Sequence, residues 1–340
     1  MSESRLLLLA EGASDDPHSG KTMYGILRYR RGDVVAILDS TRAGSNVDGV
    51  PVVANLASAA SLGATRAVVG VATSGGRFPP AWRELVADCV RNGLDVENGL
   101  HEFLADDREL VALADDAGVE LRDLRRPPAG LTVPTGANLE LPARVVLTVG
   151  SDCAVGKMTV SLELDRESRL RGLRSVFVPT GQTGIAIAGW GIAVDAVVAD
   201  FIAGAAERLV VEGHERGGEL LHVEGQGSLV HPAYSGVTLG LLHGAAPHAL
   251  VLCHRAGATE IDGHPGHLLP TLSELVELHE RISLPARRAV VACIALNTYG
   301  LDDDAARLAI ADAEADTGLR TDDPVRHGAG RLVDAILARL

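Results

Sequence analysis

The stretch VGSDCAVGKMT, Val149 to Thr159, decides the fold. An apolar run, RVVLTVG, leads into it, and KMTVSLELDRESRLRG, with helical spacing of its apolar residues, leads out. A loop between a buried strand and a helix start points several N–H groups, and the positive end of the helix dipole, at one spot. A phosphate is the natural occupant of that spot. Gly150 and Gly156 permit the close backbone approach, and Lys157 is placed to reach phosphate oxygens. The loop has five residues between Gly150 and the Gly156-Lys157 pair, or the usual four if counted from Ser151. Ser151, Cys153, Ala154 and Val155 complete the expected cofactor-binding run, together with Met158 and Thr159. Met158 stands where nucleotide hydrolases carry a Ser or Thr hydroxyl for Mg²⁺, so the loop reads as stronger for phosphate binding than for hydrolysis. Asp152 repels phosphate unless it holds a metal, an ammonium or an arginine; its other reading is a helix cap.

Outward from this loop, the chain divides into two α/β halves. From residue 5 to about 126, RLLLLAEG, DVVAILDS, TRAVVGVAT and GVELRDL read as strands, with helices in PAWRELVADCVRNG and FLADDRELVALADDAG. That alternation predicts a parallel sheet covered by helices. The Pro- and Gly-rich Arg125 to Ala143 reads as a linker or exchanged segment, giving domains at 1–130 and 131–340. The second half adds strands SVFVPT, ELLHVEG, HALVLCHR and RAVVACIALNT, and helices near 196–213, 271–283, 302–316 and 328–340.

Composition narrows the function classes. With 340 residues, 46% of them apolar in short runs broken by glycine, the chain is expected to be soluble and cytoplasmic, without a membrane role. Leu6 to Leu9 is too short for a signal-peptide core and reads as a first strand. Four scattered cysteines, with no CxxC spacing, indicate neither a disulfide framework nor a thiolate zinc site. A formal charge of -14 and the lack of a basic tract argue against nucleic acid. A small-molecule substrate is expected, and a homo-oligomer is the default assembly.

Other motifs fall at strand ends, where parallel sheets bind ligands. Glu224, closing ELLHVEG, is a candidate metal ligand or base. Thr180, Gly181, Gln182 and Thr183 in PTGQTG form a second glycine-rich turn suited to substrate. His231 and Tyr234 are expected to line the cleft, and Arg255 to grip a carboxylate bidentately. Asn297 sits where a purine edge is readable. Asp195 and Asp200 read as the start of a helix. His264 and His267 have a metal-compatible spacing, but without a third ligand they read as loop residues. Lys21 and Thr22 follow a strand end and border a cleft or a solvated turn; Arg77, in the Val71 to Pro79 turn, is a possible anion contact.

The motifs VGSDCAVGKMT, VPTGQTG, VEGQGSL and ALNT resemble, in that order, the dethiobiotin-synthetase-like branch of P-loop proteins. Adding LAEG, the GKT near residue 20, HPAYSGVT and HRAG, nearly the whole chain resembles the two-domain DUF1611 family. The resemblance implies a Rossmann-like N-terminal domain, a P-loop NTPase-like C-terminal domain, and D-glutamate N-acetylation. Acetyl-CoA carries a pyrophosphate, so a loop without the Mg²⁺ hydroxyl could hold it as a handle. Glu224 or Asp152 would then act as base, loop N–H groups would stabilise the oxyanion, and Arg255 or Lys21 would hold substrate carboxylates. The synthetase branch implies the alternative: ATP and Mg²⁺ activate a carboxylate as an acyl phosphate, with Lys157 and a Glu224-bound Mg²⁺ stabilising charge. A nucleotide-sensing module without catalysis is the third reading.

Overall fold

The computed structural model describes residues 5–16, 19–71, 76–78 and 81–340. Pro17, His18, and most of the Val71 to Pro79 turn lie outside the described residues. The chain is α/β and divides into two compact units, Met1–Arg126 with Gln182–Ala196, and Pro127–Gly181 with Val197–Leu340.

The first unit runs β1 (Leu6–Leu9), α1 (Lys21–Arg30), β2 (Val34–Leu38), β3 (Asn46–Val47), β4 (Val50–Val53), α2 (Leu56–Ser61), β5 (Arg66–Val69), α3 (Trp82–Arg91), β6 (Asp95–Asn98), α4 (Arg108–Ala117) and β7 (Leu121–Asp123). Its sheet has the order β3-β4-β2-β1-β5-β6-β7, parallel throughout the described strands except for the β3–β4 hairpin. The continuous LLLL run occupies the centre because both of its faces are covered. Leu6 and Leu8 pack with Met23, Ile26 and Leu27 of α1, whereas Leu7 and Leu9 pack with Val86, Ala87 and Val90 of α3. Gly20-Lys21-Thr22, read from the sequence as bordering a cleft or a solvated turn, opens α1, with Gly20 at its N-cap.

The second unit contains β8 (Arg144–Gly150), α5 (Lys157–Leu170) and β9 (Ser175–Val178). The chain then crosses to the first unit for α6 (Gln182–Ala188) and returns. It continues with α7 (Ile202–Glu215), β10 (Leu220–Val223), α8 (Ser235–Ala245), β11 (Ala249–Arg255), α9 (Leu272–Arg281), β12 (Val290–Asn297), α10 (Asp303–Thr317), β13 (Thr321–Asp322) and α11 (Gly330–Leu337). The sheet order is β13-β12-β11-β8-β10-β9, with parallel pairings. On one face, Val160 and Leu164 of α5 and Leu332, Val333 and Ile336 of α11 pack on Val146, Val251, Cys253 and Ala295. From β8 the chain steps to one side for β9 and later to the other for β11, which makes the C-terminal end of β8 the switch point where such sheets bind ligands.

The unit changes at Arg126/Pro127, inside the stretch read as a linker or exchanged segment, and residues 182–196 are a second segment that returns to the first unit. Ile185, Ala186 and Ala193 are buried against Leu6, Leu8 and Ile26. Arg125 secures the return: its Nε donates to the Gly99 carbonyl at 2.8 Å, one terminal nitrogen donates to Gln182 Oε1 at 2.8 Å, and the other pairs with Asp195. Asp195 therefore caps no long helix; the helix expected from 196 begins at Ile202. No helix among the described residues is long and apolar enough to cross a membrane.

Candidate active site at the phosphate loop

Ser151 to Gly156 wraps the start of α5. Two left-handed positions make the turn, Ala154 at φ 54° and Gly156 at φ 107°. Such values suit glycine, and at Ala154 they carry a strain that the surrounding loop holds in place. No side chain caps the α5 N-terminus, so its N–H groups keep their capacity for an anion. Ser151 is fully buried and serves as an anchor: its N–H donates to the Cys253 carbonyl at 3.0 Å, its Oγ bonds His254 Nδ1 at 2.8 Å, and its carbonyl accepts from Ser228 Oγ at 3.0 Å.

Lys157 curls back over the loop and donates from Nζ to the Asp152 carbonyl at 2.7 Å. Burial lowers its pKa, opposed by nearby Cys153, Cys253, Asp152 and Glu224. A buried ammonium held by one carbonyl gains from an incoming phosphate.

Both candidate carboxylates accept backbone N–H groups. Asp152 Oδ1 accepts from Cys153 N at 2.6 Å, and Oδ2 accepts from Asp262 N at 2.7 Å. Glu224 Oε2 accepts from Thr180 N at 2.9 Å and Gly181 N at 3.1 Å. Thr180 and Gly181 thus position Glu224, and Thr180 Oγ1 donates to the Glu224 carbonyl at 2.6 Å. Met158 offers no oxygen, so the loop lacks the hydroxyl that helps to hold Mg²⁺ in nucleotide hydrolases.

Asp152, Cys153 and His231 bring ligating atoms within 4.8 Å of one another. His231 is buried, and its Nδ1 accepts from Ala233 N at 3.1 Å, so the neutral ring carries its proton on Nε2. Burial lowers its pKa and keeps it neutral, with Asp152 opposing. A protonated Nε2 is a donor and not a metal ligand, so the group is a polar wall of the loop. Tyr234, half-exposed, lies 4.6 Å from His231 between ring centroids.

A cavity of about 320 Å³ opens along the loop's other end, lined by Val155, Gly156, Thr159, Asn297, Tyr299 and Val325, among others. Asn297 lies at its wall, but Oδ1 accepts from Tyr299 N at 3.0 Å and Nδ2 donates to the Val155 carbonyl at 3.5 Å. Its amide thereby links the loop to the Tyr299 turn. Arg255 pairs in register with Asn297 at the sheet edge and is exposed.

The remaining candidates divide between the two units. Gln182 and Thr183 belong to the first unit, where Thr183 Oγ1 lies 2.9 Å from Thr22 Oγ1 and Thr22 is buried. Lys21 is exposed at the start of α1. PTGQTG is thus a crossing point of the chain, and only Pro179, Thr180 and Gly181 belong to the loop's unit. Sequence reasoning missed Asp262, His254 and Ser228, whose contacts with the loop arise from segments over 70 residues away.

Residues 132–333 match the family model described as a domain of unknown function, DUF1611_C, P-loop domain. Residues 39–127 match the DUF1611_N Rossmann-like domain. The chain belongs to the DUF1611 family. A D-glutamate N-acetyltransferase of Tritonibacter scottomollicae is 39% identical over 97% of this chain and 98% of its own length. A protein of the same name from a Pseudoalteromonas species is 37% identical over 84% of each chain. The crystal structure of a DUF1611 protein from Anabaena variabilis, 40% identical, matches 98% of this chain and 99% of its own with a TM-score of 0.92. The two-domain DUF1611 architecture thus extends over nearly all of this chain.

Proposed function

We propose that this chain is an amino-acid N-acetyltransferase that uses acetyl-CoA and a small acidic acceptor, D-glutamate before others. The observation that carries this reading is the full-length similarity to a protein named for that activity. The site chemistry supports it. A loop with an uncapped helix N-terminus and a buried lysine, but with Met158 in place of a magnesium-holding hydroxyl, suits a pyrophosphate that is gripped and not split. The adenosine end of the donor would occupy the cavity beside Val155, Gly156 and Thr159, and Lys157 would exchange the Asp152 carbonyl for phosphate oxygens. The exposed Arg255 guanidinium offers a carboxylate of the acceptor a bidentate partner.

The test is to incubate the purified protein with acetyl-CoA and the D- and L-forms of glutamate and aspartate, following free CoA thiol and identifying products by mass. N-acetyl-D-glutamate formed with stoichiometric CoA release is the expected result. Consumption of ATP and Mg²⁺ with an amine and a carboxylate, and no CoA release, would replace this reading with the acyl-phosphate ligase.

A further inference from the structure

An acetyl transfer to an amino acid needs a base, because the acceptor enters as an ammonium, and both oxygens of Asp152 and the Oε2 of Glu224 already accept backbone N–H bonds. The geometry points to His264 as the general base of the transfer, an assignment that rests on the acetyltransferase reading above.

Three observations converge on it. First, orientation: the nucleoside cavity lies at the Val155 to Thr159 end of the loop, whereas Asp152 and Cys153 lie at the other. A donor with adenosine in that cavity and pyrophosphate across the loop sends its pantetheine arm past Asp152 and Cys153, toward His231. Second, a file of imidazoles begins there. His231 and His264 have ring centroids 4.9 Å apart, and His264 and His267 5.7 Å apart, leading from a buried ring through a half-buried one to an exposed one. Third, the tautomers differ. His264 Nδ1 lies 3.2 Å from the Asp262 carbonyl, which can only accept, so Nδ1 holds the proton and the neutral ring's Nε2 keeps its lone pair. His231 is the reverse, its Nδ1 taken by Ala233 N and its Nε2 a donor. Adjacent rings thus offer a base and a hydrogen-bond donor suited to the thioester oxygen. The other titratable groups on this side are Tyr234, Asp262, Glu260, Cys153, Asp152, Lys157 and His267, the last of which is exposed.

In the step itself, the acceptor ammonium gives one proton to His264 Nε2, and the amine attacks the thioester carbonyl. The carbon–nitrogen bond forms, the carbon–sulfur bond breaks, and the second nitrogen-borne proton passes to the departing CoA thiolate. The proton on His264 leaves to solvent past His267.

Two variants test this. His264→Gln removes the base, and His264→Asn also removes it while keeping an amide N–H in reach of the Asp262 carbonyl, so the loop contact survives. Both are expected to bind acetyl-CoA as the wild type does by calorimetry, to lose about 100-fold in kcat, and to differ from the wild type in the pH dependence of kcat. His264→Ala should regain part of its rate in added imidazole. A wild type that turns over while the folded, donor-binding Asn variant keeps its rate and pH profile overturns the base and leaves the acetyltransferase reading standing. A wild type that acetylates no acidic amino acid overturns both.

Discussion

Gly225 lies so close to Thr148 that a Cβ on it would stand 1.8 Å from the Thr148 carbonyl oxygen. The two residues bind the exits of β10 and β8 together, with Gly225 N donating to Thr148 Oγ1 at 2.9 Å. The oxygen belongs to a central strand and cannot move aside. Gly225→Ala is expected to cost about 3 kcal/mol of stability and to shift Glu224 with the strand end. A urea midpoint equal to that of the wild type would show that the strands have more room than this packing allows.

Lys157→Met removes a buried ammonium but keeps similar volume. Acetyl-CoA affinity should fall about 10- to 100-fold, the worth of one charge-assisted hydrogen bond. Folding stability should hold or rise, since the desolvation of a buried ammonium bonded to a single carbonyl is removed. Calorimetry and urea unfolding on the same preparation separate the two effects, and unchanged affinity would remove the lysine from the donor site.

Arg125→Met should loosen the returning segment without unfolding the sheet. Three contacts, to Gly99, Gln182 and Asp195, disappear together. A loss of about 2 kcal/mol is expected, read as faster amide hydrogen exchange across residues 182–188. Protection equal to that of the wild type would mean that apolar burial of Ile185 and Ala193 alone holds the segment.

Stability should decline on the acid side of pH 6.5. His222 is fully buried on β10, and burial pushes its pKa down to about 3; His248, partly buried, is pushed down to about 4. The unfolded chain binds protons at both near pH 6.5, while the folded chain resists, so stability present above that pH is lost as the pH falls toward these values. Each histidine contributes a slope of up to about 1.4 kcal/mol per pH unit. Urea midpoints measured between pH 7 and pH 4 check the sign, and a flat profile would place both rings in contact with water.

Much of the site was legible because its signals are local. The strand, loop and helix around Lys157 lie in one contiguous stretch, and the turn geometry of Gly156 follows from neighbouring residues. The short strands β3, β4 and β6 were not legible, since NVDGVPVV and DVEN lack a periodicity long enough to distinguish strand from loop. Helix α6 was hidden for another reason: QTGIAIA is rich in small residues and begins in a glycine-rich turn. Its helical state depends on burial against α1.

By itself, then, the sequence determined the two α/β units, the order of most long elements and the phosphate loop, because apolar periodicity and glycine placement act over a few residues. Only the tertiary structure decided which unit owns residues 182–196, that Asp152 and the Oε2 of Glu224 accept backbone N–H groups, and which nitrogen of His231 and of His264 carries the proton. Each of those facts depends on a hydrogen bond or a packed face whose partner is set by the folded chain; Glu224 meets Thr180 44 residues away and Asp152 meets Asp262 110 residues away, and Ile185 of the returning helix packs with Leu6 from the far end of the first unit, partners that no local pattern names.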